Sequence, residues 1–195
     1  MSETVNHRRR LLTRAATTVS VLGASAGAYA FARSMSPSAR ALAAGGPVEV
    51  DVSKLALGQQ LTLVWRQKPV WVLRRSERMI RELEAPNPAL RDPDSALEAQ
   101  QPPYAQNVYR SRRPEYFVVI SLCTHLGCVP NFRPEVAPAD LGSDWDGGYF
   151  CPCHGSKFDL AGRVYENVPA PTNLVVPPYE FVTDTQLRIG ADLPA

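Results

Sequence analysis

The sequence predicts a mainly β domain carried behind one N-terminal transmembrane helix. Three observations predict it: an uncharged run over residues 15–32 preceded by arginines, a series of short apolar segments punctuated by prolines and glycines, and two cysteine- and histidine-bearing loops set between those segments. The 195 residues leave room for one globular domain plus an additional element, and 45% hydrophobic content is ordinary for a folded chain. A net charge of +2 names no partner. No internal repeat, nucleotide-binding glycine motif or nucleic-acid motif is present, so neither nucleotide chemistry nor nucleic-acid binding is expected.

Arg8, Arg9, Arg10 and Arg14 crowd the start of the chain and precede the uncharged run. That run spans about 27 Å as a helix, close to the thickness of a bilayer core, and Leu11 and Leu12 extend the expected transmembrane segment to residues 11–32. The arginines hold residues 1–10 in the cytoplasm and place everything after Arg33 across a bacterial inner membrane, in the periplasm. The competing reading is the apolar core of a signal peptide; the run is longer than such a core, and no small-residue cleavage site stands out. Arg8-Arg9-Arg10-Leu11-Leu12 also has the form of a twin-arginine export signal, a route that carries folded proteins. Residues 33–46 are small, with Pro37 near the middle and Gly45-Gly46 at the end, and read as a linker. If flexible, its roughly 14 residues reach about 20 Å.

From Pro47 the pattern is that of short strands. Residues 48–53, 61–65 and 69–75 form three segments joined by short connections, and the expectation is a three-stranded meander. Residues 76–84 read as a helix with Ser76 as its N-cap. Prolines 86, 88, 93, 102 and 103 then exclude regular structure until the buried strand that starts at Tyr116. Gly147-Gly148 and the following Tyr-Phe lead into a second loop, and the chain closes with a pair of strands around a turn near Asp184. Trp65 and Trp71, at strand positions, are assigned to the core. The acidic residues Glu135, Asp140, Asp144 and Asp146 are assigned to a solvated surface loop.

The chemistry sits in CTHLGC, residues 123–128, and CPCHGS, residues 151–156, which hold all four cysteines and two of the three histidines. Each loop offers a cysteine and a histidine at close spacing, Cys123 with His125 and Cys151 with His154, and keeps one cysteine over. Two such pairs match a mixed-ligand iron–sulfur cluster, with thiolates on one iron and imidazoles on the other. Structural zinc is the alternative, although six candidate donors are too many for one closed tetrahedral site.

This double motif resembles the Rieske iron–sulfur proteins, specifically the Rieske subunits of quinol-oxidising cytochrome bc complexes. The resemblance implies a small antiparallel β-sandwich over residues 47–195, with a cluster-binding subdomain over about 121–173. It also implies one [2Fe-2S] cluster held by Cys123, His125, Cys151 and His154, and a Cys128 to Cys153 disulfide tying the loops together. His154, with His125 beside it, would be the catalytic contact to quinol. The linker would be a hinge for a mobile head, and the partners would be cytochrome b and a c-type cytochrome in a dimeric complex. Pro169, Ala170 and Pro171 match the family's third loop over the cluster, with Val168 where a glycine is common. Ser156 matches a hydroxyl donor to the cluster, and Gly127 and Gly155 would let backbone N–H groups approach the sulfurs. Phe158 stands where high-potential members carry a tyrosine. A Rieske subunit of a periplasmic oxidase such as arsenite oxidase is the alternative, separated by the long anchor and linker. Imidazole ligation makes such a cluster less negative and raises its potential from about −400 mV to roughly −150 to +300 mV, within reach of a quinol.

Overall fold

The computed structural model describes residues 2–38 and 45–191, so residues 39–44 of the 33–46 linker expected from the sequence lie outside the described residues. The chain divides into two compact units, Met1–Ala43 and Ala44–Ala195. The first contains helix α1, Ser2–Ser34, of which Asn6–Ser34 is long and apolar enough to cross a membrane. Helix runs beyond the apolar segment because alanine, leucine and arginine are all strong helix formers. Thr13, Thr17 and Thr18 return their hydroxyls to the carbonyls of Arg9, Thr13 and Arg14 at 2.8–2.9 Å. No hydroxyl of these three threonines then needs water within the apolar stretch.

Among its described residues the second unit is mostly β, with three antiparallel three-stranded sheets. Its elements are β1 (Val48–Asp51), β2 (Gln60–Trp65), β3 (Lys68–Arg74), helix α2 (Glu77–Glu84), β4 (Tyr116–Ile120), β5 (Asn131–Arg133), β6 (Gly148–Phe150), β7 (Lys157–Phe158), β8 (Tyr179–Phe181) and β9 (Gln186–Ile189). Ser76 caps α2 by accepting from the Met79 N–H at 3.4 Å, as the sequence predicts. The proline-rich stretch holds two single-turn 3₁₀ helices, Glu98–Gln100 and Pro103–Ala105, where no regular structure was expected. Short 3₁₀ turns tolerate proline at their first position because its missing N–H would be unpaired there anyway.

The expected three-strand meander is incorrect in its first member. β2, β3 and β4 make one sheet, while β1 leaves it and pairs with β9, beside β8. The register explains the choice: Arg188 of β9 faces Glu49 and Glu180 directly, and its guanidinium reaches them at 2.8 and 3.1 Å. A cation between two anions on neighbouring strands favours this pairing over any that separates them. β2 and β3 are joined by two residues, Arg66 and Gln67, both at positive φ, the geometry that follows strand twist in a two-residue hairpin.

β3 and β4 are covered on both faces, which is why they read as unbroken apolar runs rather than alternating ones. On one face Tyr116 meets Phe181 of β8, with ring centroids 5.6 Å apart. On the other, Trp71 stacks on Tyr149 of β6 at 5.1 Å and Phe117 lies 6.3 Å from the same ring. The β2–β4 sheet is thus a middle layer, and the small β5–β7 sheet that carries the metal loops is seated on it. Trp65 and Trp71 are buried, matching their assignment to the core.

Buried arginines lock the segment after β7. Arg75 donates to the carbonyls of Leu160, Pro114 and Tyr109, and Arg110 to those of Ala161, Gly162 and Gln100. Burial pulls both guanidinium pKa values down to about 10. Arg163 pairs with buried Asp159 at 2.6 Å, and Asp159 also accepts the N–H groups of Ala161 and Arg163.

Candidate metal centre

Two loops from neighbouring strand ends form the centre. Residues 123–128 follow β4, and residues 151–156 join β6 to β7. They are built alike. The Cys123 N–H donates to the Cys128 carbonyl at 2.7 Å and the Gly127 N–H to the Cys123 carbonyl at 2.9 Å; the Cys151 N–H donates to the Ser156 carbonyl at 2.8 Å and the Gly155 N–H to the Cys151 carbonyl at 2.9 Å. Gly127 and Gly155 take φ of +80° and +77°, with no atom in the way of an added Cβ, so backbone conformation alone requires glycine there. Their own N–H groups close the turns onto carbonyls, and it is the His125 N–H that bears on the Cys123 sulfur.

The structure brings together the residues singled out from the sequence. Cys128 and Cys153 are joined in a disulfide between the two loops, and Cys123 and Cys151 remain free and buried. The sulfurs of Cys128, Cys151 and Cys153 lie within 4.8 Å of one another, but the disulfide consumes two of them and leaves the Cys151 thiol. The imidazoles of His125 and His154 meet edge to face with centroids 4.8 Å apart. Cys123 and Cys151 are 3% and 2% exposed, whereas His125 is half-buried and His154 exposed. Thiols therefore lie inside and imidazoles at the surface.

Burial pushes the Cys123 thiol up; the His125 N–H and the Ser156 hydroxyl act the other way, while the adjoining Cys151 thiol raises it further. Two adjoining buried cysteines suit a cluster iron, whose positive charge would hold both sulfurs as thiolates. The donor set of two thiols and two imidazoles accordingly fits a mixed-ligand [2Fe-2S] cluster. Ser156 is fully buried, with its Oγ accepting the Ala170 N–H at 3.0 Å. Thr124 ties the first loop to the third by donating to the Thr172 carbonyl at 2.7 Å. Lys157 reaches the Leu141 carbonyl at 3.3 Å, and of the acidic loop residues Glu135 and Asp140 are engaged by Arg133 at 3.2 and 2.8 Å.

The Rieske [2Fe-2S] domain family matches residues 92–180. A protein of Allochromatium vinosum named ubiquinol-cytochrome c reductase iron-sulfur subunit is 55% identical over 95% of this chain and 89% of its own length. The chain belongs to the ubiquinol-cytochrome c reductase iron-sulfur subunits. A Bradyrhizobium diazoefficiens relative of the same name is 41% identical over 94% of both chains. The mitochondrial cytochrome b-c1 complex subunit Rieske of Theropithecus gelada is 40% identical over 92% of this chain and 58% of its own. The cofactor of this chain is a Rieske [2Fe-2S] cluster.

Sequence reasoning missed the apolar rim of the Rieske tip. Leu126 is 72% and Val129 48% exposed, and Pro152 of the second loop and Pro169 and Pro171 of the third are exposed as well. An exposed leucine inside a ligand loop was the available signal.

Phe158 is fully buried in the Rieske domain, opposite Tyr149 in the register of β6 and β7. The expectation carried over from the family is that a phenol at this position donates to a ligand sulfur and favours the more negative reduced state. Redox titration of Phe158→Tyr is expected to show an upward shift of some tens of millivolts, on a scale where about 59 mV is tenfold. No shift would mean that the para position of this ring does not face a ligand.

Proposed function

We propose that this chain is the redox subunit of a membrane-bound quinol:cytochrome c oxidoreductase, taking one electron from quinol and passing it to a c-type cytochrome. Cys123, His125, Cys151 and His154 hold the cluster. Bound there, a mixed-ligand [2Fe-2S] cluster supplies one-electron redox chemistry at roughly −150 to +300 mV. The observation that carries the reading is the placement of the donors, with both free thiols buried and His154 exposed within an apolar rim.

Each residue then has a defined task. The outer ring nitrogen of His154 accepts a hydrogen bond from the quinol hydroxyl, and His125, edge-on to it, fixes the orientation of its ring. Leu126, Val129 and the prolines at 152, 169 and 171 displace water from the contact, which strengthens that hydrogen bond. The buried thiol side of the site stays out of solvent, and the disulfide keeps the two loops in register. Helix α1 anchors the subunit in a bacterial inner membrane, with the arginine-rich end cytoplasmic and the Rieske domain periplasmic. Cytochrome b and a c-type cytochrome are the partners, within a dimeric complex.

Residues 33–46 serve as the hinge that lets the domain travel between a quinol site and the cytochrome. Added prolines across residues 38–46 are expected to slow quinol:cytochrome c turnover by the intact complex while the spectrum of the bound centre stays unchanged. Unchanged turnover would reduce this segment to a spacer.

A further inference from the structure

The strand-like segment over residues 89–92 runs beside residues 164–166. The Arg91 N–H donates to the Val164 carbonyl at 2.9 Å, the Glu166 N–H to the Ala89 carbonyl at 2.7 Å, and Leu90 bridges to Tyr165. From this base the Arg91 side chain reaches over the third loop. Its guanidinium donates to the Ala170 carbonyl at 2.9 Å and the Val168 carbonyl at 3.4 Å, and is steadied by Glu166 at 3.5 Å. Asp92 grips the far side of the same loop through the Asn173 amide, at 3.0 Å to its carbonyl.

The Ala170 peptide is therefore held at both ends. Its carbonyl is taken by Arg91, and its N–H donates to the buried Ser156 Oγ at 3.0 Å. A hydroxyl has one donor and two acceptor positions, so an N–H that occupies a lone pair constrains where the proton can point. The Ser156 side chain adjoins Cys123, and its hydroxyl opposes the rise that burial imposes on that thiol's pKa.

We propose that Arg91 is a positioning residue for the redox centre: by fixing the Ala170 peptide against Ser156 Oγ, it commits the Ser156 hydroxyl to donate toward the sulfur side of the site. The Arg91 side chain bonds to Glu166, Val168 and Ala170 and is one third exposed, so its direct field on the site is screened. Releasing the loop frees the hydroxyl to turn to another acceptor. A lost donor destabilises the more negative reduced state and lowers the midpoint potential.

The inference rests on the ligand set proposed above, and two readouts keep them apart. The electron paramagnetic resonance line shape of the loaded protein reports the ligand set, and the midpoint potential at fixed pH reports the Arg91 relay. Arg91→Gln is expected to keep the line shape type and to shift the one-electron equilibrium several-fold towards the oxidised state. In a Ser156→Ala background the same change is expected to add nothing, because the group through which Arg91 acts is gone. Arg91→Lys, which keeps the charge but cannot span both carbonyls, is expected to reproduce most of the shift and serves in place of Arg91→Gln should that variant fail to fold. An unchanged midpoint in both variants, or an equal shift with and without Ser156, would overturn the proposal.

Discussion

Cys128→Ser is expected to strip most of the cluster from the isolated protein and to lower its stability by about 3 kcal/mol. The disulfide closes a separation of 25 residues between the two loops, and the chain-entropy cost of leaving a loop of that length open has this size. Cys128 and Cys153 are joined to each other, so the substitution removes no donor from the pair of free thiols, Cys123 and Cys151. The loss should therefore appear as a lower iron content with wild-type line shape in whatever remains loaded, and as a reduced urea midpoint. Complete loss of iron from a protein that keeps its full stability would instead make Cys128 a ligand.

Asp159→Ala is expected to be the most destabilising single change in the β domain, by about 3–5 kcal/mol. Asp159 is buried, holds Arg163 at 2.6 Å and accepts two backbone N–H groups in the turn after β7. Its charge also offsets the burial of Arg75 and Arg110. Removing it strands three buried guanidinium groups with carbonyls as their main remaining partners, and the desolvation cost of Arg163 is then uncompensated. Urea unfolding of the apo protein measures the effect. A loss below about 1 kcal/mol would mean that the carbonyl cage around these arginines suffices by itself.

Most of the fold was legible where the signal is local. Ser76 three residues before the Met79 N–H marked a helix start, and the uncharged run after four arginines marked α1. The placement of β1 was not legible, because its partner β9 lies far away in sequence and the Glu49–Arg188–Glu180 ladder becomes visible only in register. Arg75 and Arg110 were equally hidden: nothing in their local sequence marks either as buried, and only tertiary structure supplies the backbone carbonyls that let them be buried. At the centre, the spacing of CTHLGC and CPCHGS identified the donors because metal chemistry restricts residue type and spacing so strongly. The third loop's attachment through Arg91 was invisible, since Arg91 is 79 residues from Ala170 and belongs to no motif.

The central claim is that two buried thiols and two surface imidazoles together hold a [2Fe-2S] cluster. Electron paramagnetic resonance of the ascorbate- or dithionite-reduced protein tests it most directly. The account predicts a Rieske-type signal with average g below the free-electron value. A silent spectrum from a protein that contains zinc instead of iron would contradict it.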